Sequence, residues 1–446
     1  MNTYLAKNIL HFITCIRKQS LWQSLRFLED SQWWTYDKIH SYQEMKLYNL
    51  LSHCNDNVPF YKKWFKENGY KVADINMQNL NLLPVIDKSF LRDNLNQLIA
   101  IGYKEPNEYA KTSGSTGVPL LFPKSLKASA FQLAAMYRGH KWHGVELGDK
   151  EARLWGIPTN KKARYKARLT DLLLNRFRER EYNLNQDVLE DFCFRMKKRK
   201  PVYLTGYTSM VTQFAKFLLE TGRNGLEYKF KMVKCTSETI HDSDRDIIEK
   251  VFGCPLVNEY GAAETGLISF QCEAGSQHLM SDCCIVEFLD PRYELDDYKL
   301  KEIVITNLDN YTLPIIRYRV GDLVTPSVDI CKCERMLPLI DNVLGRTEDI
   351  IKTSTGQCWP STILDFILKE IAFSDRGIIQ YKVFQRELDS LEIQVVPGKK
   401  YSRKTEVYIL KKCIENFGNQ MNIEIKVVDH IPREKSGKLR DFVSTV

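Results

Sequence analysis

The chain has 446 residues, of which 43% are hydrophobic and 27% are charged. These values are close to the average of folded soluble domains, so they exclude a disordered, collagen-like or coiled-coil protein. At roughly 100–200 residues per domain, the length allows two or three domains with a large core.

No apolar stretch approaches the ~18 residues that a membrane-spanning helix needs, so we expect no integral membrane protein. The apolar run from Ile9 to Ile16 is short, carries His11 and is not followed by a cleavage site, which argues against a secretory signal. The twelve cysteines fit a reducing compartment, because a core of this size does not need disulfide bonds. We therefore expect a cytoplasmic protein.

The order of the predicted elements indicates an α/β protein in two parts. Residues 1–100 are predicted to be mostly helical, with apolar positions at helical spacing such as Leu47, Leu50 and Leu51. From about residue 110 to 325, apolar runs alternate with amphipathic stretches, which predicts mixed, largely parallel sheets. Towards the C-terminus the pattern predicts helix (361–371), strands (378–384 and 391–396), helix (402–417) and strand (423–428). We expect a large domain over residues 1–344 and a small α+β domain over 345–446.

The net charge of +8 is concentrated in one segment. Residues 161–200 contain thirteen Lys and Arg against six Asp and Glu. This segment is either a solvated helical face or a docking patch for an acidic carrier protein, the phosphates of coenzyme A or a membrane surface. Nucleic acid is not expected as a partner, because no recognition motif accompanies the basic residues.

The first motif is residues 112–119, Thr-Ser-Gly-Ser-Thr-Gly-Val-Pro. It lacks the Gly-Lys-Ser/Thr ending of a Walker P-loop. Four hydroxyls and two glycines in eight residues are nevertheless suited to binding phosphate oxygens, because glycine lets backbone N–H groups converge and the hydroxyls add donors. Taken alone, the motif fits an ordinary Ser/Gly surface loop equally well.

Two further motifs suggest a nucleotide site. An apolar stretch (251–257) leads into residues 258–265, Asn-Glu-Tyr-Gly-Ala-Ala-Glu-Thr, so we expect this motif at the carboxyl end of a strand, where ligands bind in open α/β sheets. Tyr260 offers a flat face for a purine and Glu264 an oxygen ligand for Mg²⁺. In residues 318–323, Tyr-Arg-Val-Gly-Asp-Leu, Asp322 could accept hydrogen bonds from two ribose hydroxyls.

The last two motifs are residues 345–352, Gly-Arg-Thr-Glu-Asp-Ile-Ile-Lys, and 432–440, Pro-Arg-Glu-Lys-Ser-Gly-Lys-Leu-Arg. The five motifs, in this order and at this spacing, resemble the adenylate-forming superfamily of acyl-CoA synthetases and adenylation domains over essentially the whole chain. Residues 57–62, Asn-Val-Pro-Phe-Tyr-Lys, and 83–88, Leu-Pro-Val-Ile-Asp-Lys, resemble the phenylacetate–CoA ligase family in particular.

The resemblance implies a nucleotide site built from all five motifs. The loop of the first motif would hold the triphosphate, Tyr260 would line the adenine pocket, and Asp322 and Arg346 would hold the ribose. The residues implied to bind ATP are Thr112, Ser113, Gly114, Ser115, Thr116, Gly117, Ser237, Glu238, Tyr260, Gly261, Asp322 and Arg346.

The resemblance also implies two catalytic residues and a hinge. Glu264 would bind Mg²⁺, and Lys438 would bridge the substrate carboxylate and the α-phosphate during adenylation. Glu348 matches the hinge about which a small mobile C-terminal domain rotates. The pair Ser237 and Glu238 matches a motif at the edge of the acyl pocket.

The sequence departs from the superfamily pattern at two places. Leu120 follows Pro119 where many members carry lysine. Residues 236–238, Thr-Ser-Glu, replace a version that more often contains Gly or Ala. The acyl pocket is therefore the part of the site for which the resemblance says least.

One set of residues matches a zinc site. Cys272, His278, Cys331 and Cys333 supply three thiols and one imidazole, an ordinary tetrahedral set for structural Zn²⁺. The Cys-x-Cys spacing is tighter than the usual gap, and buried unliganded thiols are the alternative. Similar Cys/His sets in phenylacetate–CoA ligase relatives favour zinc, with Cys283 and Cys284 as spare ligands.

The function implied by the resemblance is an ATP- and Mg²⁺-dependent, AMP-forming ligase for a small carboxylic acid. It would make an acyl-adenylate and pass the acyl group to CoA, to the phosphopantetheine of an acidic carrier protein docked at residues 161–200, or to an amine. Relatives of this type also occur in capsule and cell-surface polysaccharide biosynthesis, and the family suggests a homodimer.

Two other functions remain open at this point. The first is a nucleotidyl transferase that leaves AMP on a cofactor-like substrate. The second is a non-catalytic binding module, which the presence of Glu264, Asp322 and Lys438 argues against.

Overall fold

The computed structural model of the chain describes residues 1–16, 20–112, 120–155, 161–179, 184–291, 300–347, 349–364, 367–368, 377–433 and 439–446. Among the described helices, none combines the length and the apolar character that crossing a bilayer would require.

The first hundred residues are helical, as predicted. Local signals set the helix ends: Pro59 begins one helix where its missing N–H costs nothing, and Asp87 caps another by accepting a hydrogen bond from the Phe90 N–H at 2.9 Å. The apolar face predicted from Leu47, Leu50 and Leu51 is fully buried. The helices are α1 (Thr3–Ile16), α2 (Leu21–Ser31), α3 (Tyr36–Asn57), α4 (Pro59–Asn68), α5 (Lys88–Asp93) and α6 (Leu95–Leu98), with short 3-10 turns at Val72–Asp74 and Leu80–Leu82.

A hairpin of β1 (Asn107–Lys111) and β2 (Leu121–Ser125) leads into the central part of the chain. Helices and an eleven-stranded sheet follow. The helices are α7 (Leu126–Trp142), α8 (Lys161–Leu173), α9 (Gln186–Arg199), α10 (Thr208–Glu220) and α11 (Asp242–Phe252), with a 3-10 turn at Gly225–Tyr228. The strands are β3 (Glu151–Leu154), β4 (Arg176–Arg178), β5 (Tyr203–Gly206), β6 (Val233–Thr236), β7 (Leu256–Ala262), β8 (Gly266–Gln271), β9 (Gln277–Leu279), β10 (Cys284–Leu289), β11 (Lys301–Asn307), β12 (Tyr318–Ser327) and β13 (Leu339–Arg346).

The large sheet has a parallel half and an antiparallel half. Its strand order is β10-β11-β12-β13-β9-β8-β7-β6-β5-β3-β4. The five strands from β7 to β4 pair in parallel, and the pairs from β7–β8 to β10–β11 are antiparallel. The predicted α/β class is confirmed, but the parallel share is smaller than expected. The reason is that short connections, which permit only antiparallel pairing, follow β7.

The parallel half is buried on both faces. Every residue of β5 and β6 is buried, as expected of parallel strands covered by helices on each side. Helices α9, α10 and α11 contribute Phe192, Phe214 and Phe252 to one continuous core with these strands.

A buried ion pair ties the helical layer to the antiparallel half. The guanidinium of Arg138 in α7 contacts both oxygens of Asp282, which precedes β10, and donates to the Leu28 carbonyl at 3.1 Å. Ser31 at the end of α2 donates to the same carboxylate at 2.5 Å. Because both charged groups are nearly inaccessible to water, removing one partner would leave the other charge uncompensated.

The C-terminal part forms its own small sheet, and the predicted element order is confirmed for the described residues. Strand order is β18-β17-β16-β19, and the two-stranded β14–β15 pair precedes it. The helix predicted at 361–371 falls partly outside the described residues; residues 362–364 and 367–368 are helical. The elements are β14 (Ile350–Lys352), β15 (Cys358–Pro360), β16 (Ile378–Gln385), β17 (Ser390–Pro397), α12 (Arg403–Phe417), β18 (Asn422–Val427) and β19 (Phe442–Ser444).

Candidate active site

A cleft of about 2040 Å³ lies between the large sheet and the C-terminal part. Its lining comes from the ends of β6, β7, β12 and β13 on one side and from the segment before β19 on the other. The cleft brings together six of the predicted site residues: Ser237, Glu238, Tyr260, Gly261, Asp322 and Arg346.

Asp322 is the centre of the polar contacts in this cleft. It stands opposite Arg346 in the β12–β13 register, with 3.6 Å between Arg346 Nε and Asp322 Oδ1. The Tyr260 hydroxyl donates to Asp322 Oδ2 at 2.8 Å. Burial, together with the charge of Asp322, raises the pKa of Tyr260 well above its usual value, so the hydroxyl stays protonated and able to donate.

This arrangement can accept a sugar diol. A carboxylate has about four acceptor positions, so one such group can accept hydrogen bonds from Tyr260 and from sugar hydroxyls together. Arg346 supplies a positive charge beside the carboxylate. The three side chains predicted to contact adenosine are therefore adjacent before any nucleotide binds.

The motif at residues 258–265 lies at the carboxyl end of a strand, as predicted, but the strand begins later than expected. The expected apolar strand at 251–257 is wrong, because α11 continues to Phe252 and β7 begins only at Leu256. The motif thus forms most of β7 itself and the turn into β8. Gly261 is needed there, since a Cβ atom would lie 2.5 Å from the Gly266 carbonyl oxygen on the neighbouring strand.

Glu264 lies in the turn between β7 and β8 and is 7% exposed. Its Oε1 accepts a hydrogen bond from the Tyr318 hydroxyl at 3.1 Å. Burial and the nearby Glu264 raise the pKa of Tyr318, which keeps that hydroxyl a donor. The carboxylate has a second oxygen, and carboxylate oxygens are the ligand atoms that a hard cation prefers.

Ser237 and Glu238 follow β6 at the edge of the cleft. Ser237 has a left-handed backbone, with φ at 70°, which is uncommon for a residue with a side chain. Glu238 accepts hydrogen bonds from the Ser209 N–H at 2.8 Å and from the Leu439 N–H at 2.9 Å. It thereby joins the first turn of α10 to the C-terminal segment.

Arg433 makes a second contact across the cleft. Its Nη1 donates to Ser209 Oγ at 2.6 Å. Burial lowers the pKa of Arg433, although Glu238 and Asp441 offset part of this effect. Two hydrogen bonds from the C-terminal segment, one to Glu238 and one to Ser209, therefore meet the same corner of the large domain.

Thr112 is the one residue of the predicted phosphate loop (112–117) that the structure describes. Thr112 is buried at the end of β1, where its N–H donates to the Leu120 carbonyl and its Oγ1 accepts from the Leu120 N–H, both at 2.9 Å. This pair closes the base of the loop between β1 and β2. The predicted residues outside the described part of the chain are Ser113, Gly114, Ser115, Thr116, Gly117, Glu348 and Lys438.

The structure adds residues to which the motifs gave no role. Ser209 and Arg433 form the contact described above, and Arg440 donates to Asp349 Oδ1 at 2.6 Å near the start of β14. The signal available in the sequence was the pair of arginines within the last motif, Arg433 and Arg440. Nothing local to the sequence identifies their partners, which are more than 90 residues away.

A separate cluster forms where β8, β9 and the loop before β13 meet. The donor atoms of Cys272, His278, Cys331 and Cys333 all lie within 4.8 Å of one another. Cys272 Sγ is 3.5 Å from Cys331 Sγ, and His278 Nε2 is 3.1 Å from Cys333 Sγ. Tetrahedral zinc with ligands at ~2.0–2.3 Å holds them about 3.5–3.8 Å apart, so shifts of about 1 Å or less would bring the four donor atoms to the separations of a filled site.

The surroundings of the cluster also fit a metal. His278 Nδ1 donates to the Leu337 carbonyl at 2.9 Å, which leaves Nε2 with its lone pair towards the three sulfurs. Burial opposes ionisation of Cys331, but hydrogen bonds from Ser276, Cys333 and Cys272 outweigh it and lower the pKa of this thiol. In the described part of the chain, Cys283 and Cys284 are not in this group.

Comparison with known proteins agrees with the geometry. Residues 352–445 match the family described as the CapK C-terminal domain. Protein CapK of Staphylococcus aureus is 24% identical over 91% of this chain and 93% of its own length. The phenylacetate-coenzyme A ligase of Thermus thermophilus is 22% identical over 91% of this chain and 96% of its own length.

A solved structure shows the same fold. 2-Hydroxyisobutyryl-CoA ligase with bound 2-HIB-AMP, in its postadenylation state, superposes with a TM-score of 0.74 at 17% identity and covers 93% of both chains. The same ligase with 2-HIB-AMP and CoA, in its thioesterification state, superposes with a TM-score of 0.60 at 18% identity and also covers 93% of both chains. The resemblance predicted from the motifs is confirmed: this chain is a homologue of the phenylacetate-coenzyme A ligases and of CapK, and it has the fold of the adenylate-forming CoA ligases.

Proposed function

We propose that this protein activates a small carboxylic acid with ATP and transfers the acyl group to a thiol. The observation that carries the proposal is the meeting of Tyr260, Asp322 and Arg346 in a cleft shared with the C-terminal segment. These three side chains are suited to binding a base and a ribose. The proteins to which this chain is similar include CoA ligases.

The chemistry has two steps. A carboxylate oxygen attacks the α-phosphorus of ATP, and pyrophosphate leaves, which gives an acyl-adenylate. The thiol then attacks the acyl carbon and AMP leaves with the original carboxylate oxygen, while the thiol proton goes to solvent or to a base. The first step is needed because a carboxylate oxygen cannot leave as oxide. Once it is bonded to the α-phosphorus, it can leave as part of AMP.

The chain supplies groups for the first step. Tyr260 would pack on the adenine, while Asp322 and Arg346 hold the ribose. The loop that Thr112 begins, with Ser113, Gly114, Ser115, Thr116 and Gly117, would bind the phosphates. Lys438 would offset the repulsion between carboxylate and α-phosphate. Glu264 would hold Mg²⁺, which when bound neutralises charge on the phosphates.

The second step requires the C-terminal part to move. We place the domain boundary at residues 344 and 345, with the hinge at Glu348. Two hydrogen bonds, from Leu439 to Glu238 and from Arg433 to Ser209, cross the cleft at its edge. Such contacts can break and reform at modest cost, which suits an arrangement that alternates between two half-reactions.

The cellular setting follows from the relatives and from the cysteines. The similarity to CapK supports a role in capsule or cell-surface polysaccharide biosynthesis. All twelve cysteines are free thiols, which supports a cytoplasmic site of action. The homodimer implied by the family stays a prediction.

ATP–pyrophosphate exchange across a panel of aryl, short-chain, hydroxy and amino acids tests the proposal. We expect exchange with one class of acid. Asp322→Ala should lower kcat/KM for ATP by ~10- to 100-fold, because it removes charge-assisted hydrogen bonds to the ribose. Lys438→Ala should lower the exchange rate by ~10²–10³. Asp56→Ala, at an exposed position near the end of α3, is the matched control and should have no effect.

One outcome of this assay would contradict the proposal. If ATP binds but no acid supports exchange, the adenylation proposal fails. A stable product that carries AMP would then identify the protein as a nucleotidyl transferase.

We propose that Cys272, His278, Cys331 and Cys333 hold one structural Zn²⁺. Four protein ligands leave no open position, so the metal would fix the loop before β13 rather than take part in the reaction. Protein purified without added zinc should contain about one zinc per chain. Cys331→Ser should lose it and lower the melting temperature, whereas Cys358→Ser, outside the cluster, should keep it. A zinc content well below one per chain would refute the site.

The acyl acceptor is proposed to be CoA or the phosphopantetheine of an acidic carrier protein. Within the predicted docking segment (161–200), the end of α9 carries four consecutive exposed basic residues: Lys197, Lys198, Arg199 and Lys200. Reversing these four charges should weaken binding of an acidic carrier protein, while reversing Lys63 and Lys66 on α4 should not. Equal binding by the two variants and the unmodified protein would exclude this surface.

A further inference from the structure

The outer face of α1 is apolar although it is exposed. Tyr4, Leu5, Phe12 and Ile16 are between 50% and 76% exposed. The opposite face, with Ala6, Leu10 and Thr14, is buried against the protein. The helix contains no acidic residue and one lysine. A helix that is apolar on both faces is normally covered on both, so the outer face of α1 lacks a partner in the described chain.

Helix α8 shows a different but complementary pattern. Tyr165, Leu169 and Leu172 are at least 48% exposed, and their spacing places them in one stripe along the helix. Basic residues flank this stripe on both sides, with Lys162 and Lys166 towards one side and Arg164 and Arg168 towards the other; all four are exposed. An apolar stripe between basic rows is typical of helices that lie in a membrane interface.

We call the exposed side chains of these two neighbouring helices the α1–α8 face: Tyr4, Leu5, Phe12, Ile16, Lys162, Arg164, Tyr165, Lys166, Arg168, Leu169 and Leu172. Helix α1 packs against α8. Its N-terminus is anchored by the Thr3 hydroxyl, which donates to Asp149 at 2.9 Å, and by close contact with Gly148.

The charge of the α1–α8 face is of one sign. The only acidic residue of α8, Asp171, is buried and bound to Arg176 and Arg178. No acid therefore interrupts the exposed basic rows of this helix. The α1–α8 face combines seven large apolar side chains with four exposed basic residues from α8.

We propose that the α1–α8 face docks the protein on a membrane that contains anionic lipids. Negative headgroups would attract the exposed basic residues, and the apolar side chains would enter the boundary between headgroups and acyl chains. A bilayer with anionic lipids would contact both the basic and the apolar side chains of this face. Docking would hold the enzyme at the membrane surface without a spanning segment, and the proposal does not rest on the ligase reaction.

Two other occupants fit less well. A second copy of the chain would bring the same basic rows opposite each other, because a two-fold interface is self-complementary, and like charges would repel. An acidic protein would satisfy the basic residues, but the exposed apolar side chains of α1 offer it no charge to recognise, and Lys7, the one charged residue of this helix, lies over the Trp22 ring. The proposed carrier protein is therefore assigned to the end of α9, away from the apolar stripe.

Flotation of the full chain with lipid vesicles tests the proposal. We expect binding to vesicles of phosphatidylcholine mixed with phosphatidylglycerol and little binding to phosphatidylcholine alone. Changing Lys162, Arg164, Lys166 and Arg168 together to Glu should lower the partition coefficient more than ~100-fold. The variant Phe12→Ser with Leu172→Ser should lower it by at least ~10-fold while keeping all basic residues.

The controls separate docking from misfolding and from simple charge attraction. Lys63→Glu with Lys66→Glu, on α4, changes exposed charge elsewhere and should leave vesicle binding intact. Circular dichroism and melting temperature should be unchanged in all variants. The proposal is overturned if the unmodified chain does not float with anionic vesicles, or if the Phe12 and Leu172 variant binds them as well as the unmodified chain. It is also overturned if the Phe12 and Leu172 variant converts a dimer into a monomer, since the face would then join two copies.

Discussion

The cross-strand position of Asp322 opposite Arg346 is the constraint on which the candidate site depends. It follows from the register of β12 and β13, which is interrupted just beside the pair, where Gly345 has φ at 132°. A slip of one residue would turn both side chains to the other face of the sheet. With this register, β12 also brings Tyr318 to Glu264 and Asp322 to Tyr260, so one strand links the proposed magnesium ligand to the proposed nucleoside site.

The mixed sheet explains why the candidate site lies near the junction of its parallel and antiparallel halves. The central strands β5 and β6 of its parallel half are fully buried, and its antiparallel half supplies the strands that carry Asp322 and Arg346. Strand β7 stands at the junction, paired in parallel with β6 and antiparallel with β8. Tyr260 lies on this junction strand, which resembles the switch points where ligands bind in other α/β sheets.

Much of the fold and part of the site could be predicted from the sequence. The helical N-terminal region, the small C-terminal sheet and the four members of the Cys/His cluster followed from periodicity and residue type. The convergence of Tyr260 and Asp322, which are 62 residues apart, depends on strand order and could be expected only through the family resemblance. The same is true of Arg433 and Ser209, which are 224 residues apart.

Two predictions failed for physical reasons that a sequence pattern does not show. Residues 251 and 252 are apolar because they complete the buried face of α11, which periodicity over so short a run cannot distinguish from a strand. The alternation of apolar runs beyond β7 suggested parallel strands, although the connections there are too short to cross the sheet. In both cases tertiary packing gave the same apolar residues a different structural role.

The most direct test of the account is the fate of the carboxylate oxygens. With an acid that supports exchange, labelled with ¹⁸O in its carboxyl group, the full reaction with a thiol acceptor should yield AMP that carries one ¹⁸O atom. That transfer requires the carboxylate to have attacked the α-phosphorus, as the site around Asp322 implies. Unlabelled AMP, or AMP retained on the substrate, would contradict the account.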